Sequence, residues 1–348
     1  MKILIISDAW KPQINGVVRT YEYIIDELHD MGHETMVIGP ADFPVRIPMP
    51  GYKEIELAIN PYGRLKRMID KFDPDYIHIA TEGPLGLAGS KYCKKNDIKF
   101  TTSYHTHFPD YVSKRVAKYL PFLKNITRKL AINNVKNFHN KASGIMIATQ
   151  SLEDELKSWG FTAPMHRLTR GVSLDIFYPD EAELFHDLPR PIAIYVGRIA
   201  IEKNLEDFLD MDWDGSKVIV GIGPDLEYLE KTYPDAHFVG KKIGHELGAH
   251  YRSADIFVFP SKTDTFGMVL IEALASGIPV AAYNVTGPKD IITEDYLGAL
   301  HDDKLHIAAQ KAMEHSHARK ERRQHIEENY TWPTVAEQFL YVIEVSDQ

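Results

Sequence analysis

Cysteine is nearly absent from this 348-residue sequence, which contains only Cys93. A single thiol excludes an internal disulfide framework and a cysteine-based zinc cluster, and we expect it to be an ordinary buried side chain. The sequence also lacks an apolar run as long as a membrane span, and the run that follows Met1 is too short for a signal peptide. These absences lead us to expect a cytoplasmic protein.

Positive charge is outnumbered, because 49 Asp and Glu stand against 40 Lys and Arg and give a net charge of -9. This balance argues against nucleic acid as the main partner. Acidic residues are nevertheless missing from residues 111–152. The basic side chains of that window fall within 114–141, interleaved with apolar ones: Lys114, Arg115, Lys118, Lys124, Arg128, Lys129, Lys136 and Lys141. Two interpretations stay open. One is peripheral contact with an anionic acceptor or the inner face of an anionic membrane, and the other is a solvated face over core residues.

The order of apolar runs predicts the fold class. Continuous runs such as Ile192–Val196 and Ile256–Phe259 predict strands that are buried on both faces. Helical periodicities lie between these runs, and the alternation occurs in two successive series. The sequence therefore predicts an α/β protein of two Rossmann-like, doubly wound parallel-sheet domains that face across a cleft. We place the first domain at residues 1–172, a linker at 173–190, the second domain at 191–328 and a last helix within 329–348.

The first predicted domain carries candidate ligand-binding residues after its strands. Gly16 opens the first helix, where a glycine lets a phosphate approach the helix N-terminus, although simple turn geometry is the better explanation of this glycine taken alone. His105 and His107 follow a strand end, on the expected ligand side of a parallel sheet. Two histidines are too few for a zinc site, which needs at least three protein ligands. A substrate-facing histidine and a packed histidine remain the alternatives.

The second predicted domain begins with a strand, a cationic loop and a helix. Arg198 and Lys203 lie five residues apart in that loop, and together they suit a pyrophosphate, because Arg can bind two oxygens and Lys adds a point charge. A surface ion pair with Glu202 is the alternative. Gly221 and Gly223 form a lone G-x-G, which is too weak a pattern to indicate NAD binding. No G-x-G-x-x-G fingerprint follows the first strand of the sequence either, which argues against a dehydrogenase.

The stretch from Asp264 to Glu272 is the most informative part of the sequence. A buried strand precedes it, and a helix from about residue 267 to 276 carries Glu272 as its one charged side chain. The start of such a helix presents free N–H groups to an anionic or hydroxyl-rich ligand. The alternative is that Asp264 caps the helix while Glu272 belongs to a solvated stripe. The spacing of the two carboxylates leaves both interpretations open.

Several motifs in this order resemble glycosyltransferase family 4, retaining enzymes of the GT-B fold that move a sugar from a nucleotide donor. The motifs are Asn15-Gly16-Val, Tyr104-His105-Thr, Arg170-Gly-Val, Gly197-Arg198 to Lys203-Asn204, Gly221-Ile-Gly223-Pro and the block from Asp264 to Val280. With Glu82-Gly-Pro-Leu-Gly, they look most like bacterial GDP-mannose-dependent α-mannosyltransferases and related glycolipid synthases. Two positions depart from the family pattern: Asp264 stands where Glu is usual, and Ser173 stands where Asp is usual.

The resemblance implies transfer of a hexose, with mannose favoured, from a nucleotide-diphosphate sugar to a hydroxyl of a lipid or glycan. It implies no metal and no cofactor besides the donor substrate, such as GDP-mannose. A GT-B nucleotide-sugar epimerase and a non-catalytic nucleotide-sugar binding module are the alternatives. The last helix is expected to return to the N-terminal domain.

The resemblance also implies a role for each matching residue. Those implied to act on the reacting groups are His105, Arg198, Lys203 and Asp264. Those implied to bind the donor are Gly16, Gly223, Phe266, Gly267, Met268 and Glu272. Those implied to face the acceptor are Asp8, Tyr104 and His107.

Overall fold

The structure, a computed structural model, describes residues 1–13, 15–49, 52–105, 124–181, 184–264 and 266–347. The chain folds as two compact units. The first unit comprises Met1–Thr169 and Trp332–Gln348, and the second comprises Arg170–Thr331. The predicted linker at 173–190 falls within the second unit, where Phe177 packs against Tyr251 and the amide of Leu184 donates to Ser253 Oγ at 3.0 Å.

The first unit is built on a parallel sheet. Its strands are β1 (Lys2–Ile6), β2 (Glu34–Ile38), β5 (Tyr76–Ile79), β6 (Thr101–Ser103), β7 (Gly144–Ile147) and β8 (Met165–Arg167), in the order β2-β1-β5-β6-β7-β8. A separate antiparallel hairpin pairs β3 (Arg46–Met49) with β4 (Tyr52–Ala58). The helices described in this part of the chain are α1 (Gly16–Asp30), α2 (Tyr62–Phe72), α3 (Pro84–Lys95), α4 (Lys124–His139) and α5 (Gln150–Ser158).

The sequence of β1 and α1 shows why this unit folds as it does. Strand β1 is Lys-Ile-Leu-Ile-Ile, and its four apolar residues are fully buried, as expected where helices cover both faces of a parallel sheet. Helix α1 begins after Asn15, whose side-chain oxygen accepts hydrogen bonds from the amides of Val17 and Val18 at 3.0 and 3.1 Å. The buried face of α1 includes Tyr21 and Ile24, one helical spacing apart.

The second unit repeats this plan. Its strands are β9 (Ile192–Val196), β10 (Ser216–Val220), β11 (His237–Gly240), β12 (Ile256–Phe259), β13 (Val280–Tyr283) and β14 (Gly298–His301), all parallel and in the order β11-β10-β9-β12-β13-β14. Its described helices are α6 (Leu205–Leu209), α7 (Leu226–Thr232), α8 (Gly244–Arg252), α9 (Met268–Ala275), α10 (Pro288–Ile291), α11 (Leu305–Met313) and α12 (Arg319–Asn329). Two doubly wound parallel-sheet units confirm the predicted α/β class.

Each sheet has a point where the strand order reverses. In the first unit the chain leaves β1 toward β2 and returns to the other side of β1 at β5. In the second unit the same reversal separates β9 from β12. The loops that follow the two strands diverge there and leave a crevice at the carboxyl edge of the sheet, which is where open α/β sheets bind ligands.

The last helix, α13 (Trp332–Asp347), belongs to the first unit. The indole of Trp332 stacks on the ring of Tyr23 in α1, with 4.4 Å between ring centroids. The side-chain oxygen of Gln338 accepts a hydrogen bond from the amide of Thr169 at 2.9 Å. The helix therefore returns to the unit in which the chain began. Across the described ranges, every helix is too short or too polar to span a membrane.

Candidate functional site

Two of the predicted charged residues meet at the reversal point of the second unit. Lys203 ends a short 3-10 turn (Ile201–Lys203) after β9, and Asp264 lies in the loop after β12. The Nζ of Lys203 donates to both carboxylate oxygens of Asp264, at 2.7 and 2.8 Å. Their side chains are 23% and 26% exposed, so the pair is partly shielded and yet open to a ligand. Asp264 therefore bonds a lysine and does not cap α9.

Arg198 lies in the same loop as Lys203 and points to solvent. Its side chain is 65% exposed, and its Nη1 is 3.6 Å from Glu202 Oε1. An exposed pair at this distance contributes little to stability, so the guanidinium can exchange Glu202 for an anionic ligand at small cost. The carbonyl of Arg198 accepts a hydrogen bond from the hydroxyl of Tyr195 at 2.9 Å, which holds the loop backbone in place.

A carboxylate that sequence reasoning missed supports both loops. Asp207 accepts hydrogen bonds from Asn204 and from the hydroxyl of Tyr283, each at 2.5 Å, and from Lys262 at 3.2 Å. Although burial opposes it, these hydrogen bonds lower the pKa of Asp207. Asn204 directly precedes α6 with a left-handed backbone, φ of 56°, and its side chain donates to Asp207 and does not cap the helix. The cluster joins the loops after β9 and β12 to β13.

The start of α9 lies directly after Asp264 and Thr265, the second of which is outside the described residues. Gly267 precedes the helix with φ of +90°, a backbone conformation that favours glycine, and Met268 is the first helical residue. Phe266 is buried, so the amides at this turn are fixed by a packed side chain. Free amides and the positive end of the helix dipole therefore adjoin the Lys203–Asp264 pair.

Glu272 lies one turn further along α9 and is half-buried. Its Oε2 accepts a hydrogen bond from the hydroxyl of Tyr251 at 3.0 Å. Tyr251 is fully buried, and this burial, together with the charge of Glu272, raises the pKa of the phenol well above its ordinary value. The carboxylate of Glu272 is thus oriented by a protonated phenol, which a residue of a solvated stripe would not need.

Two of the three predicted donor-binding glycines, Gly16 and Gly223, differ in the structural reason for having glycine. A Cβ on Gly223 would lie 1.9 Å from the carbonyl oxygen of Ile199, so close backbone packing already requires glycine there. At Gly16, apart from its chain neighbours and the backbone of its own helix, no described atom lies within 4 Å of the position that a Cβ would take. Gly16 is the first residue of α1 and is exposed, and its φ is not in the left-handed region. Turn geometry therefore does not explain Gly16.

Asp8 lies at the reversal point of the first unit, after β1. Its carboxylate accepts hydrogen bonds from the amides of Leu85 and Gly86 in the first turn of α3, at 2.9 and 3.2 Å, and from Thr81 Oγ1 at 3.1 Å. A Cβ on Gly83 would clash with this carboxylate. Asp8 thus caps α3 from a distant loop. Burial raises its pKa to about 6, although the amide hydrogen bonds act in the opposite direction.

The predicted aromatic and histidine residues after β6 differ in their burial. Tyr104 is buried in a core cluster with Ile145 and Phe161, and this burial argues against its predicted contact with an acceptor. His105 is half-buried, and its Nε2 is 3.1 Å from the hydroxyl of Tyr21. His107 lies outside the described residues.

Two buried histidines near this edge were not identified as site residues from the sequence. His78, in β5, is 2.7 Å from the hydroxyl of Tyr21. His139, at the end of α4, is 2.8 Å from Glu82 Oε1 through Nε2 and 2.8 Å from Thr102 Oγ1 through Nδ1. Only His78 could have been found from the sequence. The signal is that it lies within an apolar strand that is covered on both faces.

The fold and the site together define the class: this is a protein of two Rossmann-like units. One unit has a Lys–Asp pair, an Arg and a helix start at its ligand edge. Comparison with known families agrees with that class. The family model described as Glycosyltransferase Family 4 matches residues 14–176, and the one described as Glycosyl transferases group 1 matches residues 179–331. The chain belongs to glycosyltransferase family 4, and it is a hexosyltransferase of the GT-B fold.

Individual relatives are similar along most of the chain. A GDP-mannose-dependent alpha-mannosyltransferase of Mycobacterium tuberculosis is 29% identical over 324 residues, covering 86% of this chain and 83% of its own. An alpha-monoglucosyldiacylglycerol synthase of Acholeplasma laidlawii is 29% identical over 324 residues, covering 80% and 79%. The solved sucrose-phosphate synthase of Thermosynechococcus elongatus has the same fold, with a TM-score of 0.75, 21% identity and coverage of 99% and 98%.

The raised pKa of Asp8 predicts a pH-dependent stability. Its pKa is about 6 in the folded protein against 3.8 for the ordinary side chain. Between these values the folded protein holds a proton that the unfolded chain has released, so a rise in pH lowers the free energy of unfolding. The loss is up to about 3 kcal/mol for a shift of about two pH units. Chemical denaturation from about pH 4 to about pH 6 measures this loss in the natural protein. The Asp8→Asn variant should not show it, because it lacks the titrating carboxyl group.

The Asp70→Asn variant is the matched control in the same unit. Hydrogen bonds from Lys66 and Tyr92 lower the pKa of Asp70, so its contribution to stability is lost as the pH falls. That loss lies below the ordinary pKa of 3.8, so Asp70→Asn should leave the slope between about pH 4 and about pH 6 as it is in the natural protein, whereas Asp8→Asn should remove the fall in stability. An identical slope for Asp8→Asn and the natural protein would contradict the assignment.

Proposed function

We propose that this glycosyltransferase moves mannose from GDP-mannose to a hydroxyl of a lipid or glycan acceptor, with retention of anomeric configuration. The observation that carries the proposal is the Lys203–Asp264 pair at the reversal point of the second sheet, beside the start of α9. A diphosphate needs cations and amides, and a sugar needs a carboxylate acceptor for its hydroxyls. The mannosyltransferase relative supports mannose and GDP.

The pair also indicates how the donor would bind. A diphosphate oxygen replaces Asp264 on the Nζ of Lys203, and Arg198 turns from Glu202 to bind the same group. The released carboxylate of Asp264 then accepts hydrogen bonds from the sugar, which the amides of Phe266, Gly267 and Met268 adjoin. Because both cations remain on the phosphate as the glycosidic bond breaks, they stabilise the negative charge that develops on the leaving group.

Other predicted residues complete the donor site. Glu272, oriented by Tyr251, binds the ribose hydroxyls. The N-terminus of α1 at Gly16 approaches the diphosphate, and His105 lies at the reacting sugar. Gly223 supports the loop through its packing on Ile199. The departing phosphate oxygen takes the proton of the acceptor hydroxyl on the same face of the sugar, so no covalent enzyme intermediate is needed.

Replacement of Lys203 tests the donor site. Lys203→Met should weaken GDP binding by roughly tenfold or more, because a charge-assisted contact to phosphate is worth about 1.5–3 kcal/mol. Isothermal titration with GDP, UDP and ADP measures the affinities, and transfer from GDP-mannose to lipid and glycan acceptors is followed by mass spectrometry. A Lys203→Met variant that transfers mannose at the natural rate would contradict the proposal.

The matched control for Lys203 is Lys231→Met in the same unit. Lys231 forms an ion pair of the same length, 2.7 Å, with Glu227 on an exposed helix away from the carboxyl edge. This variant should bind GDP and transfer the sugar as the natural protein does. Release of GDP that depends on an added acceptor distinguishes transfer from epimerisation, which consumes no acceptor.

Gly16 provides a test of the N-terminal side of the donor site. Gly16→Ala should leave stability unchanged or slightly raised, since no described atom opposes a Cβ and alanine is the better helix former. The new methyl group would nevertheless lie where a phosphate approaches α1, so we expect the KM for the donor to rise about tenfold or more. Gly63→Ala is the control, because Gly63 is equally open near the start of α2. Equal kinetics for both variants would exclude Gly16 from the donor site.

The acceptor is proposed to be lipid-linked and reached at an anionic membrane surface. Helix α4, the described part of the basic stretch, exposes 56% of Ile126 and 59% of Leu130, one turn apart, with Lys129 beside them. Apolar side chains flanked by lysine suit the boundary between headgroups and acyl chains. The glycolipid synthase among the relatives supports this acceptor class.

Vesicle binding tests the membrane proposal. Flotation with phosphatidylglycerol vesicles should capture the natural protein at low salt and less of it at high salt. The double variant Ile126→Ser with Leu130→Ser should reduce capture severalfold, since each apolar side chain contributes about 1.5–3 kcal/mol when buried. Leu87→Ser is the control, because Leu87 is an exposed leucine on another helix of the same unit. Equal capture by all variants would exclude this face.

A further inference from the structure

One oxygen of Asp207 connects three segments at the ligand edge of the second unit. Its Oδ2 accepts from Asn204 Nδ2 and from the hydroxyl of Tyr283, each at 2.5 Å, and from Lys262 Nζ at 3.2 Å. These donors belong to the loop after β9, to the end of β13 and to the loop after β12, respectively. Asn204 Nδ2 is also 3.4 Å from the carbonyl oxygen of Pro260, directly after β12. A single atom in the first turn of α6 therefore joins the ends of three neighbouring strands.

The donors hold this carboxylate oxygen in place. One carboxylate oxygen offers about two lone-pair sites, so three donors leave it little freedom to move. The ammonium of Lys262 also lies 4.0 Å from the centre of the Tyr283 ring, a cation–π contact that keeps the lysine beside the same oxygen. Burial, together with the hydrogen bond to Asp207, raises the pKa of Tyr283, so its hydroxyl keeps the proton that it donates.

Two of the donors flank the Lys203–Asp264 pair. Asn204 directly follows Lys203, and Lys262 precedes Asp264 by two residues. In the protein without ligand, the ion pair itself also joins the two loops. That connection is lost when a diphosphate takes the place of Asp264 on the Nζ of Lys203, as proposed above. The oxygen of Asp207 then still holds the residues on either side, and the spacing of the two loops is kept.

We propose that Asp207 is a positioning residue, which keeps Lys203 where it meets the donor diphosphate after the ion pair has opened. Its effect on donor binding rests on the proposed function, whereas its effect on the two loops is a property of the protein without ligand. Asp207 touches no part of the donor in this role, because it acts through Asn204 on the backbone next to Lys203.

A double-mutant cycle tests the effect on donor binding. Isothermal titration with GDP, UDP and ADP compares the natural protein with Asp207→Ala, Lys203→Met and the double variant. Asp207→Ala should weaken binding of the preferred nucleotide roughly tenfold, whereas in the Lys203→Met background the same change should weaken it less than about twofold. A merely structural role would lower the affinity equally in both backgrounds. Equal effects in the two backgrounds, or full affinity in Asp207→Ala, would overturn the proposal.

Hydrogen exchange without ligand tests the effect on the loops. The amides of Lys203 and Asn204 donate to backbone carbonyls of their own turn, at 2.8 and 3.2 Å, so their exchange reports how firmly this loop is held. In the Lys203→Met background the ion pair is absent. There, Asp207→Ala should raise the exchange rate of residues 201–204 roughly tenfold, while β9 and β12 stay protected. Mass spectrometry measures the exchange, and equal rates in these two variants would overturn the proposal.

Tyr283→Phe is the second variant, which keeps the test decisive if Asp207→Ala does not fold. It removes one donor to the same oxygen and keeps the ring beside Lys262. The effects on nucleotide affinity and on loop exchange should therefore have the same direction as in Asp207→Ala and be smaller. No effect of Tyr283→Phe on either quantity would overturn the proposal.

Asp210→Ala is the matched control. Asp210 lies at the opposite end of α6 and accepts a hydrogen bond from the hydroxyl of Tyr233 at 2.8 Å, so a carboxylate–phenol contact is removed from the same helix. This variant should match the natural protein in both measurements. A loss as large as that in Asp207→Ala would show a general effect of removing a carboxylate from α6 and would overturn the proposal.

The two measurements separate this proposal from the proposed function. If the natural protein binds none of the three nucleotides, the proposed donor site fails, and loop exchange alone decides whether Asp207 positions the loop. If Lys203→Met binds the preferred nucleotide as tightly as the natural protein does, the diphosphate contact is contradicted, and the role of Asp207 in donor binding is overturned with it.

Discussion

Parallel strands impose the constraint on which this structure depends. Two parallel neighbours can be joined only by a crossover, so each strand is followed by a segment that leaves from the same edge of the sheet. Where the strand order reverses, two such segments part and leave space between them. Lys203 and Asp264 are 61 residues apart in sequence and still form an ion pair, because they follow β9 and β12, the two strands on either side of the reversal. The charged site is thus a result of topology.

Buried strands were predictable because burial on both faces leaves a nearly continuous apolar run in the sequence. Ile192–Val196 and Ile256–Phe259 were predicted with the bounds that the structure has. The hairpin of β3 and β4 was missed for the opposite reason. It lies outside both parallel sheets, Pro48 interrupts one strand, and charged residues such as Glu54 and Glu56 interrupt the other. The one alternation of polar and apolar residues in β4, Glu54-Ile55-Glu56-Leu57, is only four residues long.

The candidate site was predictable only where its chemistry is local. Arg198 and Lys203 share one loop between a strand and a helix, and their charge alone indicated an anion. The partner of each carboxylate was not predictable, because it is distant in sequence. Glu272 accepts from Tyr251, and Asp8 accepts from the amides at the start of α3. Tyr104 shows the reverse case. The family resemblance implied that Tyr104 faces the acceptor, but its aromatic ring is buried in the core.

Helix α13 has a consequence for the order in which the protein is made. It belongs to the first unit and packs Phe339 against His78, although the whole second unit precedes it in the chain. A ribosome therefore delivers the second unit complete while the first still exposes the apolar face that α13 will cover. The first unit, which contains Tyr21 and His105, can close only after the second has emerged. The ligand edge of the first unit, although it is synthesised first, is therefore not completed long before that of the second unit.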